Sequence, residues 1–199
     1  MFETLLGWSR RVALVAAWAG GCMMIFASFM VTLDVFMRKI LNTTLGGADE
    51  ISGYLFAIAT AWALPYAFLH RANVRIDAVY VHLPRLLRAV LDIFGASLLA
   101  LFAVTLTWRA LALVGDSYAI GARSVTPLHV PLILPQAFWV SGWILFCLCC
   151  ALVICGMVYA LLRGNLGMVH RLGGALSIDE EIAEEGITVK PTRENESKS

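Results

Sequence analysis

The sequence predicts an all-α integral membrane protein with four transmembrane helices, both termini on the cytoplasmic side (N-in/C-in), and an interfacial loop between helices 2 and 3. Three observations predict it. First, 60% of the 199 residues are hydrophobic and only 15% charged, against about 45–50% and 25% in soluble domains. A water-soluble domain of this length has too little interior to hide that much apolar surface, and disordered chains are poor in the aromatic and branched residues abundant here. Second, the excess falls in blocks long enough to cross a bilayer. Third, Lys and Arg cluster on alternate sides of those blocks.

The first block, Val12 to Leu33, holds 22 residues without a charged side chain. A helix needs about 20 apolar residues to cross about 30 Å of hydrocarbon at 1.5 Å per residue, so a span is predicted over about 12–35. Ser9-Arg10-Arg11 imitates a twin-arginine signal and Ala19-Gly20-Gly21-Cys22 a lipoprotein cleavage site. Such signals carry a shorter apolar stretch followed by polar mature sequence. Here the apolar run continues to Leu33, so a retained first helix is expected. Small pairs such as Ala17 and Gly21 offer a place for helices to approach.

The second block, Ile51 to Leu69, is 19 residues long and gives the span 51–69. The third, Ile93 to Trp108, extends apolar character past Asp92 and Arg109, giving a span over about 86–114. Pro84 suits the first position of that helix. Val130 to Leu162 supplies 33 more uncharged residues, broken near its start by Pro131 and Pro135, so the fourth span is placed at 136–162. Three prolines at four-residue spacing (Pro127, Pro131, Pro135) preclude a regular helix before it. Residues 1–170 thus form the transmembrane domain. Residues 171–199 form an acidic cytoplasmic tail: seven of the 14 acidic residues follow Leu176, against three basic ones, a composition expected to stay solvated and disordered. A short helix after Ser177 over Asp179–Glu185 is the competing reading.

Eight Lys and Arg residues flank the spans on the side of the N-terminus: Arg10, Arg11, Arg71, Arg75, Arg85, Arg88, Arg163 and Arg171. Four fall on the other: Arg38, Lys39, Arg109 and Arg123. The positive-inside rule then places both termini in the cytoplasm.

Several function classes lose support. Four of the five cysteines (Cys147, Cys149, Cys150, Cys155) fall in the last block without His or carboxylate neighbours; zinc needs a compatible tetrahedral ligand set, and cysteine otherwise serves as a small apolar filler. His70, His82, His129 and His170 lie in loops or at interfaces, whereas a membrane cytochrome needs axial histidines within its spans. No span carries a charge at its centre, where ion-coupled transporters place their functional groups. No nucleophile–base pair and no phosphate-binding glycine loop is present. No catalytic residue, cofactor or metal is expected, and no nucleic-acid partner.

Polar information gathers at the helix ends. Asp34 and Arg38 share a helix face at i,i+4, and Arg38-Lys39 suit the negative end of the helix dipole. An interfacial anchor and a partner contact both account for the pair, and the pair alone favours the anchor. Asp49 is expected to cap helix 2 with Glu50 in its first turn, after a turn supplied by Gly46-Gly47. On the other side, His70, Arg71, Arg75 and Asp77, with apolar Val74, Ile76, Val79 and Val81 interleaved, are expected to lie along the headgroups with Arg85 and Arg88, and helix 3 to start before the hydrocarbon. The segment Thr126-Pro127-Leu128-His129-Val130-Pro131 is apolar and proline-stiffened, a character that more often contacts protein than water.

In this order, Asp34-Val35-Phe36-Met37-Arg38, the acids Asp49-Glu50, the His/Arg-rich turn ending Ile76-Asp77 and the Thr126-Pro127…Pro131 segment resemble the small membrane subunit (DctQ-type) of tripartite ATP-independent periplasmic (TRAP) transporters, over about residues 10–165. One departure is visible: the family often carries an aromatic two positions before the acidic pair, where this chain has Gly47. The resemblance implies a small permease subunit of the bacterial inner membrane in a sodium-coupled uptake system, for a solute such as an organic acid. It implies a large (DctM-type) transport subunit and a periplasmic solute-binding protein as partners, beside the membrane lipids. Asp34, Arg38, Asp49, Glu50, Arg123, Thr126, Pro127 and Pro131 become the expected structural or partner-contact residues. A self-sufficient four-helix exporter and a membrane redox subunit are the alternatives; both call for intramembrane groups that the spans lack.

Overall fold

The computed structural model describes residues 2–71 and 84–173. Among the described residues there are five helices: α1 (Phe2–Ile40), α2 (Ala48–Leu69), α3 (Arg85–Ala119), α4 (Ile133–Leu162) and α5 (Leu166–Gly173). Among the described residues, α1 to α4 are long and apolar enough to cross a membrane, and there is no strand beyond one isolated bridge between Arg123 and Pro131. The four predicted spans are all present. Their helices run longer than the apolar blocks. At 1.5 Å per residue, the 39 residues of α1 and the 35 of α3 extend about 58 and 52 Å, well past about 30 Å of hydrocarbon. Arg109 and Asp116 accordingly lie on α3 and not in the following loop, which starts only after Ala119.

The helices form a row and not a closed bundle. α2 packs on α1, α4 on α2, and α3 on the far side of α4. α4 is apolar all round, as a helix enclosed by neighbours should be, and it carries the longest set of buried residues: Val140, Gly142, Phe146, Cys149, Cys150, Val153, Gly156, Met157 and Ala160. α1 sits at one edge with Trp8, Val15, Trp18, Ile25, Phe29 and Phe36 exposed.

Small residues set the close approaches. A Cβ on Gly20 would stand 3.0 Å from the Ala59 carbonyl oxygen, so α1 and α2 nearly touch there. Gly21, the position read from the sequence, faces open space instead. Gly142 brings the α4 backbone onto Ala61 and Trp62 of α2; a Cβ would lie 2.7 Å from the Ala61 carbonyl carbon. The contact is fastened by Trp62, whose indole N–H donates to the Phe138 carbonyl (3.0 Å) and to Ser141 Oγ (3.1 Å). Pro65, buried in the same stretch, has no N–H to give Ala61 and so removes one helical hydrogen bond at this level.

Two core clusters follow. One joins Leu6, Ala13, Leu69, Ala89, Ala96, Cys149, Val153, Met157, Ala160 and Val169; the other joins Ala103, Phe146 and Cys150, where Phe68 and Phe146 meet edge to face at 5.7 Å. The cysteines of α4 are free thiols, with Cys149 and Cys150 filling core and Cys147 Sγ within 3.3 Å of Thr107 Oγ1.

The sequence reading missed α5. It placed the start of the tail at 171, but the helix runs to Gly173. Val169 is fully buried and Leu172 half-buried, and Gly173 sits against Met157 so closely that a Cβ would overlap its sulfur. Eight residues are too few to announce a helix by periodicity, and docking on α4 and α3 supplies the stability that the segment lacks alone. The predicted acidic tail and the competing helix after Ser177 lie outside the described residues.

Candidate functional site

Alternation of four helices puts the α1–α2 loop (41–47) and the α3–α4 loop (120–132) at one end of the row. Both loops are organised by the acids singled out in the sequence, in ways the sequence did not show.

Asp34 is 2% exposed although it lies close to the end of α1. The chain folds back over it: Thr44 Oγ1 and the Leu45 N–H both donate to Oδ1, at 2.8 and 2.7 Å, while Arg38 Nη2 donates to Oδ2 at 2.6 Å. The i,i+4 pair therefore exists, and only its basic half lies at the surface. Arg38 is largely exposed; Asp34 is the buried acceptor that closes the first loop. Thr44 Oγ1 also takes the Gly46 N–H at 3.2 Å, the local side-chain-to-backbone bonding that favours turns.

The turn then passes through positive φ at Asn42 (49°), Gly46 (62°) and Gly47 (154°). Gly47, not Asp49, is the N-cap of α2, and no side chain caps the helix. Asp49 lies in the first turn and is exposed, where its charge still favours the helix N-terminus. The space above Gly47 is taken by Leu128 of the other loop, whose Cδ1 stands 2.3 Å from where a Cβ would be. At the corner where Gly47 has no side chain, a leucine from 81 residues away fills the space.

Glu50 is the second tie. Its Oε1 accepts from Tyr54 Oη at 2.6 Å, and its Oε2 accepts a short hydrogen bond from Thr126 Oγ1 across 76 residues of sequence. Ser124 completes the network: its Oγ accepts the Thr126 N–H at 3.1 Å and contacts Thr126 Oγ1. The loop around it is a short clasp, with Ser124 N–H on the Val130 carbonyl (2.9 Å), Leu132 N–H on the Ala122 carbonyl (3.0 Å) and His129 N–H on the Thr126 carbonyl (3.1 Å). Arg123 and Pro131 form the bridge of that clasp, and the Arg123 guanidinium reaches the His129 carbonyl at 3.5 Å. Pro127 is exposed at the tip and Pro131 half-buried at the root; Pro135 falls in the first turn of α4, where a missing N–H costs nothing. Beside Pro127, Val125 is 99% exposed.

Of the eight predicted residues at this end, the structure thus joins Asp34 with Arg38, and Glu50 with Thr126, and places Arg123 and Pro131 in the clasp; Asp49 and Pro127 stand outside these networks. Thr44, Tyr54, Ser124 and Leu128 were missed. Paired hydroxyls beside turn residues were the available signal, but their partner acids are 10 to 76 residues away.

At the opposite end, His70 is the C-cap of α2. Its Nδ1 lies 3.0 Å from the Tyr66 carbonyl, and its ring stacks on Tyr66 at 3.9 Å. Arg71 adopts φ 54°. Pro84 is the N-cap of α3 and not its first residue, Arg85 opens the helix, and the half-buried Arg88 donates its N–H to the Pro84 carbonyl at 3.1 Å. Arg75 and Asp77 lie outside the described residues. Among the described residues, no group of three His, Cys, Asp or Glu side chains could hold a metal ion.

Four helices long and apolar enough to cross a membrane define a multi-pass membrane protein. A family model described as "Tripartite ATP-independent periplasmic transporters, DctQ component" matches residues 27–164, which include the candidate loops and three of the four spans entire. The chain belongs to that family, and is thereby a small permease component of a TRAP transporter. The comparisons with curated proteins and with solved structures return no match.

Proposed function

We propose that this chain scaffolds the large DctM-type subunit of a sodium-coupled, binding-protein-dependent uptake system, and that its two tied loops present a docking surface to the periplasmic solute-binding protein. In this reading the solute is of the organic-acid type and is handled by the other chains. The protein resides in the bacterial inner membrane with both termini cytoplasmic, the side favoured by the eight-to-four distribution of Lys and Arg, so the loops face the periplasm.

The observation that carries the proposal is the Glu50–Thr126 tie between loops far apart in sequence. A surface built from two loops can serve as a docking platform only if the loops hold one relative position, and the Leu128–Gly47 contact makes a second fastening. The open row of helices supports the scaffold part: α1 leaves a continuous apolar edge, and a partner subunit can cover it.

The test is co-expression of this chain with the large subunit. A stable complex is expected, together with loss of binding-protein docking, at unchanged complex yield, when Val125 at the clasp tip is replaced by Arg. Charge reversal at Glu50 should loosen the clasp and weaken docking in assembled complexes. Full transport activity from this chain alone in vesicles would refute the scaffold reading, and unaltered docking by the Val125→Arg complex would refute the docking reading.

A further inference from the structure

On one face of the row, α1 and α4 both lie against α2 and leave a groove of about 480 Å³ between them. Val12, Val15, Ala16 and Ala19 form its α1 wall, a set that repeats at helical spacing along one face. Gly142 and Leu145 of α4 form the other wall, and Trp62 of α2 joins the two. The space exists because Ala16, Ala19 and Gly142 carry so little side chain. Its polar atoms are engaged: the Trp62 indole N–H donates to the Phe138 carbonyl and to Ser141 Oγ, and the Ser141 hydroxyl donates to the Phe138 carbonyl at 2.6 Å. What remains is an apolar trough with one charge, Arg11, at its termini end. Arg11 immediately precedes the uncharged block that starts at Val12, so it marks the edge of the hydrocarbon. From it the trough runs about 12 Å inward to Ala19. Arg11 is exposed, and it has no ion pair or hydrogen bond among the described residues. It stands well inside a helix that runs without a break from Phe2 to Ile40.

The geometry points to a binding site for one anionic phospholipid of the phosphatidylglycerol type, seated from the leaflet at the termini end. The lipid phosphate meets the Arg11 guanidinium, whose fork of N–H donors matches phosphate oxygens, and one acyl chain follows Val12, Ala16 and Ala19 past Trp62. Charge decides the headgroup. Among the described residues no acid lines the groove, so the cationic group of an ethanolamine or choline lipid finds no counter-ion there. A lipid with net negative charge needs none. Width decides against a protein helix. α1 and α4 touch each other as well as α2, so the gap between them is narrower than the about 10–12 Å of a helix with its side chains. A single hydrocarbon chain suits such a gap and supplies the dispersion contacts that an unfilled trough lacks. Wedged there, it also holds α1 to α4, two helices whose direct contact is slight.

The experiment is native mass spectrometry of the full-length protein released from nanodiscs that contain equal phosphatidylglycerol, phosphatidylethanolamine and phosphatidylcholine, with helicity checked by circular dichroism. The chain is measured alone and in complex with the large subunit. One retained phosphatidylglycerol per chain is expected in both. Arg11→Gln should lower the preference for phosphatidylglycerol about tenfold or more, the effect of losing a hydrogen bond between charged groups. Arg10→Gln, at an exposed position outside the groove, should leave that preference nearly unchanged. Ala16→Leu fills the trough and should abolish retention of all three lipids. Equal losses from Arg10→Gln and Arg11→Gln would show only a diffuse attraction to an anionic leaflet and would overturn the assignment. Retention unchanged by Ala16→Leu would do the same, as would a lipid held by the chain alone but absent from the complex, which gives the groove to the large subunit.

Discussion

Replacing Gly142 with Ala tests the close contact between α2 and α4. The new Cβ would stand 2.7 Å from the Ala61 carbonyl carbon, 2.7 Å from Trp62 Cδ1 and 2.9 Å from the Ala61 Cβ. Carbon atoms rest at about 3.5–4.0 Å, so the deficit is about 1 Å, and two of the three neighbours belong to Ala61, which has no side-chain rotamer to change. Either α2 and α4 separate by about that distance, or Trp62 swings away and gives up its bonds to Phe138 and Ser141. Overpacking of this kind costs about 1–3 kcal/mol, and the better helix propensity of Ala returns up to about 1 kcal/mol. A net loss of about 1–2 kcal/mol remains, or about 2–8 °C in Tm for a chain of this length. The assay is thermal unfolding in detergent followed by tryptophan fluorescence. Gly21→Ala, with nothing within 4 Å, should be neutral or slightly stabilising, and Gly20→Ala, 3.0 Å from the Ala59 carbonyl oxygen, should fall between. A Gly142→Ala protein as stable as the unmodified one, or a Gly21→Ala protein less stable than it, would refute the packing argument.

Three further outcomes follow from the ends of the row. Thr126→Val removes the hydroxyl that ties the loops through Glu50, so hydrogen exchange at the Ser124 and Leu132 amides should quicken about tenfold or more while the α4 core keeps its protection. Gly47→Ala should lower Tm through two causes, the left-handed φ of 154° and the overlap with Leu128; adding Leu128→Ala should restore only the part due to overlap, leaving about 1–3 kcal/mol of backbone strain. Val169→Ala takes a fully buried side chain out of α5 and should weaken its docking by about 1.5–3 kcal/mol, read as faster proteolysis beyond Gly164 with no change at the loop end.

Helix positions were legible because membrane spans announce themselves by length and apolarity alone, and Val12–Leu33 or Val130–Leu162 needs no partner to be recognised. The site was half legible. Asp34 and Arg38 could be paired by spacing, since i,i+4 neighbours meet on any helix. The sequence could not show that Asp34 is buried, because its burial is the work of Thr44 and Leu45 folding back. Asp49 looked like the cap by residue type; the backbone instead uses Gly47 at a φ that other residues rarely adopt. Glu50 has a full local explanation as a first-turn acid, and that sufficiency hid its long-range partner Thr126. α5 was invisible for a related reason: its stability comes from Val169 and Leu172 meeting α3 and α4, and not from its own eight residues.

The row arrangement explains why the polar ties sit where they do. In a closed bundle each span is held by two neighbours over its whole length, but here α1 rests mainly on α2 and α3 mainly on α4. Lipid chains are as apolar as the helix surfaces, so burial alone gives little reason for adjacent spans to keep one register. The close glycine contacts at Gly20 and Gly142 fix lateral distance, while the Asp34–Thr44, Glu50–Thr126 and Leu128–Gly47 contacts fix the ends of α1, α2 and α4 relative to one another. α5 does the same at the other end by lying across α3 and α4. A layer tied at both ends can stay flat and leave its faces and its α1 edge free. That property is what the proposed scaffold role would use, and it requires no charge in the middle of any span.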